Sequence, residues 1–163
     1  ITMYHVLEHL PRPVEVLKKL NSISHQNTNL VVEVPIIENG KTNDINGFLS
    51  IQHITHFSIT SLTNCLGLAG WEIKRKFETS DYNGYRLLAS PAKSSKLKPT
   101  IQRSKKDWLE FNEILVNWYS SIGNVEKKIQ KIAEYDKMVI WGAGAHIEYL
   151  YQLTSLFLSL IHI

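Results

Sequence analysis

Two histidines and a glutamate stand close together near the start of the chain. His5, Glu8 and His9 lie in the segment HVLEH, whose H-x-x-E-H spacing is that of an inverted zinc-peptidase motif. Zinc chemistry of that kind needs both imidazoles on one face of an intact helix, with the carboxylate as the base. Pro11 and Pro13 follow almost at once and leave such a helix little room to form. We therefore expect no metal site from this motif.

A second pair of histidines stands in the segment SIQHITHFS. His53 and His56 precede Ser58, whose side chain is typical of a helix N-cap. A histidine that titrates near neutral pH can remove a proton from a carbon or a hydroxyl group. The structural alternative is that both are partly exposed loop histidines, with Phe57 in the core. The long polar loop before this segment favours a functional role.

A glycine turn near the end of the chain offers a third kind of chemistry. Gly142 and Gly144 follow the apolar run MVIW, and a strand that enters such a turn can bring backbone N–H groups to a phosphate. The third glycine of a dinucleotide fingerprint would fall at Ile147. A nicotinamide-dependent or nucleotide-binding module is therefore an alternative, beside a tight turn that packs a helix on a strand.

The segments that carry the histidines alternate between strands and helices, which predicts an α/β fold. Residues 1–4 and the segment TNLVVEVPII are expected to be buried strands, and Pro13 opens a helix between them. A helix runs from Ser58 toward Gly70, a natural C-terminal stop. The segments WEIKRKFET and YRLLAS then predict an antiparallel hairpin turning at Asn83-Gly84. Alternation along the first of these strands puts four side chains on one face: Trp71, Ile73, Arg75 and Phe77.

A lysine-rich linker joins the hairpin to a long amphipathic helix. Apolar residues from Trp108 to Ile132 recur in alternating steps of three and four, as in a coiled-coil seam. We favour a helix docked on its own chain over a self-association helix, because Gly123 weakens its middle. A homodimer or an assembly module built on this seam remains the non-enzymatic alternative.

Composition limits the classes of function. The chain has 163 residues, 44% of them hydrophobic, and a net charge of +3, which is too small to indicate nucleic-acid binding. The single cysteine, Cys65, fits a reducing compartment, so we expect a cytoplasmic protein. The apolar C-terminal segment is interrupted and too short to span a bilayer, so no membrane association is expected.

The order of these segments resembles class I S-adenosylmethionine-dependent methyltransferases over residues 1–90. In that family a strand ends in a short HVLEH-type turn, a proline opens the next helix, and a final antiparallel strand closes the sheet; NLVVEVP, HFSITSLTNCLGLAGWEI and YRLLAS match the later segments. The resemblance implies the C-terminal half of a Rossmann-like sheet of seven strands. The glycine-rich loop and the acidic residue that hold the cofactor would precede Ile1. We therefore expect a fragment that binds S-adenosylmethionine weakly and is inactive alone.

The resemblance also implies roles for particular residues. Tyr4 and His5 would lie beside the methionine part of S-adenosylmethionine. SIQHITHFS is similar to the Glu-His-x-x-x-Phe-Ser stretch of sugar C-methyltransferases and their relatives, with His53 in the place of the candidate base. Gln52 stands where that group often has Glu, and Ser50 where it often has Tyr. The acceptor would be a small molecule, with a sugar nucleotide as one class.

Acceptor contacts are predicted for Gln52, His56 and Tyr85. All of these roles require the segments Tyr4–His9 and Gln52–His56 to meet at one cleft beside the sheet. The predicted organisation is methyltransferase half 1–90, linker and helix 91–136, and the start of a second Rossmann-like unit at 137–163. That last segment contains IWGAGAH, which resembles the C-terminal domain of sugar-type methyltransferases, a domain that would help hold the acceptor.

Overall fold

The computed structural model describes residues 1–39, 48–50, 52–77, 84–93, 101–134 and 144–156. The chain forms two compact units, Ile1–Asn112 and Glu113–Ile163. The division into 1–90, 91–136 and 137–163 stays a prediction. Within the described ranges, no helix is both long and apolar enough to cross a membrane.

The first unit is built on a sheet of four strands. These are β1 (Thr2–Tyr4), β2 (Leu30–Pro35), β3 (Trp71–Phe77) and β4 (Gly84–Pro91), in the order β1-β2-β4-β3. β1 and β2 are parallel, whereas β4 lies between β2 and β3 and is antiparallel to both. The predicted α/β fold with a final antiparallel strand is therefore confirmed. The predicted turn residue Asn83 lies outside the described residues.

Two short helices connect these strands. Helix α1 (Pro13–Ser22) begins at Pro13, whose missing N–H is not needed in the first turn. Helix α2 (Ile59–Leu68) is capped by Ser58, whose Oγ accepts from the backbone N–H of Ser61 at 3.0 Å. Its C-terminal end is followed by Gly70 at φ +81°, a left-handed conformation that favours glycine. The predicted cap and stop are both confirmed.

The hydrophobic core lies between this sheet and the two helices. Indole Nε1 of Trp71 donates to the backbone oxygen of Leu17 at 2.9 Å inside the core, which fixes β3 against α1. Burial raises the pKa of Cys65 to about 11, so this thiol packs as an apolar side chain and is no nucleophile. The most deeply buried core residues include Leu7, Leu17, Leu30, Val32, Val34, Leu62, Leu66 and Leu87.

A bulge in β3 corrects one detail of the predicted hairpin. Ile73 pairs with Ala89, but Arg75 pairs with Leu88, so the register shifts by one residue between them. Because paired residues point to the same face, Arg75 and Phe77 lie on the face opposite to Ile73. The expectation of four side chains on one face was wrong, because alternation in sequence does not reveal an inserted residue.

Helix α3 (Lys105–Ala133) begins in the first unit and continues in the second, and helix α4 is Ala145–Leu153. Along the predicted seam, Ile129 is buried whereas Trp108 is 64% and Ile132 is 54% exposed. The choice between docking and self-association stays a prediction. Gly144 precedes α4, while Gly142 lies outside the described residues, as does the strand predicted before it.

The left-handed residue after α2 gives a stability prediction. Gly70→Ala should lower the free energy of unfolding by about 1–2 kcal/mol, since a Cβ is strained at φ +81° even though its nearest neighbours would be 3.5 Å away. Gly123→Ala is the matched control, because nothing lies within 4 Å of its Cβ position in α3 and alanine favours helices. Denaturant unfolding followed by circular dichroism measures both. Equal stability of the native chain and Gly70→Ala would contradict the conformation assigned here.

Candidate functional site

The chain leaves β1 through a sharp turn. His5 has φ +50°, a left-handed conformation that is uncommon for a residue with a side chain. Its backbone N–H donates to Glu33 at 3.0 Å, and a single 3₁₀ turn follows at Leu7–His9. The H-x-x-E-H segment is therefore not an α-helix, so it lacks the helix face on which the peptidase motif depends. Strained backbone of this kind is often found where a chain builds a site.

The loop before α2 docks on this turn. The N–H of Thr55 donates to the backbone oxygen of Glu8 at 3.0 Å, and its hydroxyl donates to the oxygen of Leu10 at 3.4 Å. Nδ1 of His9 lies 2.8 Å from the backbone oxygen of Gln52. Three hydrogen bonds thus hold together two segments that are far apart in the sequence. They meet just beyond the carboxyl end of β1, the edge of a parallel sheet at which α/β proteins bind ligands.

The imidazoles of His9 and His53 face each other in this contact. Their ring centroids are 4.9 Å apart in an edge-on arrangement. Nδ1 of His53 lies 3.1 Å from the backbone oxygen of Phe48. A carbonyl oxygen can only accept, so Nδ1 carries the proton in both rings. In a neutral ring the other nitrogen, Nε2, then has a lone pair available for a proton or a ligand.

His56 is arranged differently. Its Nε2 lies 3.1 Å from the same Phe48 oxygen and therefore donates its proton there. Burial lowers the pKa of His56 below its ordinary value of 6.5, and the nearby His53 adds to this effect. His56 also packs against Phe48 and Phe111, with ring centroids 5.1 and 6.0 Å away. It is a neutral side chain that braces the loop.

The carboxylate of Glu8 lies close to the two facing imidazoles, within 4.8 Å of a nitrogen of each. It is only 1% exposed, and neither oxygen has a hydrogen-bond partner among the residues that the structure describes. Oε1 is 3.3 Å from Nδ1 of His5 and 3.9 Å from Nε2 of His9. A buried carboxylate without hydrogen bonds is costly unless a positive charge is near. The site therefore favours a cation or a protonated ring beside Glu8.

A second buried carboxylate lies on the next strand. Glu33 in β2 is 3% exposed, and its Oε2 accepts from Nε of Arg86 at 2.6 Å. Oε1 is 3.4 Å from Nε2 of His5, so His5 stands between two carboxylates. The guanidinium of Arg86 lies over the ring of Tyr4, 5.0 Å from its centroid. This ion pair links β1, β2 and β4 at the strand end where Tyr4 and His5 were predicted to act.

Sequence reasoning missed Glu33 and Arg86. A signal was available, because Glu33 is the one charged residue in the apolar strand LVVEVP and a charge in a buried strand needs a partner. Of the predicted residues, the structure brings His53, His56 and the backbone of Gln52 together. Tyr85 is instead 8% exposed within the hydrophobic core, and its contact with an acceptor stays a prediction.

A cavity of about 290 Å³ lies beside His56 in the first unit. Its wall is mostly apolar, and the hydroxyl of Ser58 donates to Asp107 at its rim. Glu38 stands next to it, where its Oε1 accepts from the N–H of Ile59 at 2.9 Å and its Oε2 is buried without a partner in the described part of the chain. The lining residues include Ile37, His56, Ser61, Asp107, Trp108 and Phe111.

The buried carboxyl of Glu38 gives a pH prediction. Burial raises its pKa above the ordinary value of 4.5, and the charges of Asp107 and Glu110 add to the effect. A pKa that is higher in the folded state means that stability falls as the pH rises from below 4.5 through the folded pKa. Glu38→Gln keeps an acceptor for Ile59 and removes the charge, so we expect it to raise the free energy of unfolding at neutral pH.

The gain in stability from Glu38→Gln should shrink as the pH falls below 4.5, where the carboxyl of Glu38 is protonated in both the folded and the unfolded chain. Urea unfolding at several pH values measures it. Glu15→Gln is the control, since the Glu15 side chain is 65% exposed and should show no such gain. A Glu38→Gln chain that is less stable than the native chain at neutral pH would overturn this account of Glu38.

The N-terminal part of the chain is similar to known proteins. Residues 1–76 match a family model described as a methyltransferase domain. No curated protein matches. Nine chains of solved structures match, and one of them is described as "Crystal Structure Analysis of LaPhzM".

That structure is 12% identical to this chain, with a TM-score of 0.47. The match covers 55% of this chain and 29% of that chain, so this chain spans less than a third of the length of its structural relative. Residues 1–76 are similar to a methyltransferase domain, in agreement with the resemblance to class I S-adenosylmethionine-dependent methyltransferases over that segment.

Proposed function

We propose that the protein transfers a methyl group from S-adenosylmethionine to a small polar molecule at the strand ends beside β1. The observation that carries this proposal is the meeting of the turn at His5–His9 with the loop at His53, inside a segment that matches a methyltransferase domain. The carboxyl ends of parallel strands supply the crevice, and the loop supplies a group that can act on the acceptor.

The side chains at the end of β1 suit the cofactor. S-adenosylmethionine, when bound, supplies a methyl group that is already electrophilic because it is attached to a positively charged sulfonium. Glu8 and Glu33 place two negative charges behind Tyr4 and His5, which favours a cation at this edge. Tyr4 and His5 are each 45% exposed and can pack against the methionine part of the cofactor. The protein's task is then to hold the acceptor in line.

His53 is the group that we propose as the base. The hydrogen bond from Nδ1 to Phe48 fixes the ring and leaves Nε2 to receive the proton that the acceptor loses. Gln52 and His56 lie on either side of it and are proposed contacts of the acceptor. The cavity beside His56 has aromatic walls from Trp108 and Phe111, on which a sugar or a base ring can stack. A sugar nucleotide is the acceptor class that we propose to test first.

The test measures formation of S-adenosylhomocysteine by the longest natural polypeptide that contains residues 1–163. Nucleotide sugars and other polar metabolites are supplied in turn as acceptors. His53→Ala should lower kcat by about 100-fold or more, the usual contribution of a general base, with little change in the Kd of S-adenosylhomocysteine. His25→Ala is the matched control, since it removes an exposed imidazole after α1 and should leave the rate unchanged.

Each part of the proposal can fail separately. No binding of S-adenosylhomocysteine would overturn the cofactor. Binding without turnover on any nucleotide sugar, but with turnover on another metabolite, would overturn only the acceptor class. A His53→Ala enzyme that keeps the native rate would remove His53 as the base.

A further inference from the structure

We propose that Glu8, His9 and His53 form a binding site for a divalent transition-metal ion such as Zn²⁺. One carboxylate oxygen of Glu8 and one ring nitrogen of each histidine lie within 4.8 Å of one another. The three side chains come from the turn after β1 and from the loop that docks on it. The sequence predicted no metal site. The proposed ligands include Glu8 and His9 of the H-x-x-E-H motif, but the third ligand is His53 and not His5.

The hydrogen bonds of the two rings prepare them as ligands. Nδ1 of His9 donates to Gln52 and Nδ1 of His53 donates to Phe48, in both cases to a backbone oxygen. Metal-bound histidines are commonly held in this way, because a carbonyl on one nitrogen fixes the tautomer and turns the lone pair of the other toward the ion. Both lone pairs here belong to Nε2. His56 is not one of the three residues whose ligand atoms lie within 4.8 Å of one another.

Glu8 supplies an independent indication that a cation belongs here. Its carboxylate is 1% exposed, lies 3.9 Å from Nε2 of His9, and has no hydrogen-bond partner in the described part of the chain. With neutral rings, a negative oxygen and a nitrogen lone pair face each other, and this arrangement is repulsive. A cation between them removes the repulsion and neutralises the buried charge. His5 contacts the same oxygen at 3.3 Å but is shared with Glu33, so it supports Glu8 from the other side.

The ligand set indicates the class of metal. Two imidazoles and one carboxylate suit Zn²⁺, Fe²⁺, Mn²⁺ or Co²⁺ better than Ca²⁺ or Mg²⁺, which prefer oxygen ligands. Bonds of about 2.1 Å put tetrahedral ligand atoms roughly 3.4 Å apart, so side-chain movements of about 1 Å close the site. Three protein ligands leave at least one coordination position open. An open position is typical of metal sites that bind a substrate or water.

The site also bears on methyl transfer, and this step rests on the proposed function. Nε2 of His53 cannot bind a metal ion and accept a proton at the same time. The ion, when bound, would supply a Lewis acid that lowers the pKa of a hydroxyl group at its open position. His53 would then hold the ion, whereas in the metal-free site it is the proposed base. Metal binding itself requires neither the cofactor nor the acceptor, so it can be tested alone.

The experiment titrates Zn²⁺ into the 163-residue chain after treatment with a chelator and dialysis, with no cofactor present. Calorimetry should show one tight site per chain. Loss of a ligand should cost more than the 10–100-fold typical of residues that only support a ligand, so Glu8→Gln, His9→Ala and His53→Ala should each weaken binding by about 100-fold or more. His25→Ala should bind Zn²⁺ as the native chain does. His5→Ala should weaken binding less than the three ligand variants do, by about 10–100-fold, because His5 only supports Glu8.

Circular dichroism identifies variants that fold poorly, and a spectroscopic measurement on the native chain tests the metal site without any substitution. In NMR spectra of the native chain, Zn²⁺ should shift the Nε2 resonances of His9 and His53 and leave His25 unchanged. The proposal is overturned if no stoichiometric Zn²⁺ binds, or if folded His53→Ala binds it as tightly as the native chain. Loss of binding in His5→Ala with retention in His53→Ala would assign the metal to the H-x-x-E-H motif instead. These outcomes are independent of methyl transfer, which can fail while the metal site stands.

Discussion

The site depends on a hydrogen bond between two backbones, in which Thr55 donates to the carbonyl oxygen of Glu8. This bond holds the loop before α2 against the turn after β1. A second hydrogen bond, from His9 to Gln52, joins the same two segments. One of the three hydrogen bonds joins two backbone groups, and the other two join the side chain of Thr55 or His9 to a backbone oxygen. The bond from Nδ1 of His9 also orients its ring, which faces the ring of His53.

Two buried carboxylates at the end of the parallel strands are stabilised in different ways. Glu33 has a guanidinium partner in Arg86 at 2.6 Å, so its charge is matched within the fold. Within the described ranges, the ion-pair partners of Glu8 are His5 and His9, and a histidine is charged only when it is protonated. Glu33 therefore has a permanently charged partner within the fold, whereas the partners of Glu8 carry a charge only when they are protonated. His5 contacts both carboxylates and therefore links the ion pair of Glu33 and Arg86 to Glu8.

The sequence predicted local features well and distant contacts less well. The cap at Ser58, the stop at Gly70 and the hairpin follow from rules that concern only a few neighbouring residues, and the structure agrees with each. The bulge that moves Arg75 to the other face left no trace in the alternation, because it is defined by pairing with β4. The meeting of the segments Tyr4–His9 and Gln52–His56 was predicted only through the family resemblance, since spacing along the chain cannot show which loop folds over which turn.

The proposed function and the proposed metal site both require the turn at His9 and the loop at His53 to form one site. The most direct measurement is a nuclear Overhauser experiment on the 163-residue chain with the ring protons of both histidines assigned. With ring centroids 4.9 Å apart, cross-peaks between the rings of His9 and His53 are expected, together with one between the amide of Thr55 and the Glu8–His9 backbone. Absence of the cross-peaks between the rings in the folded chain, with the peaks of the core present, would contradict the shared site.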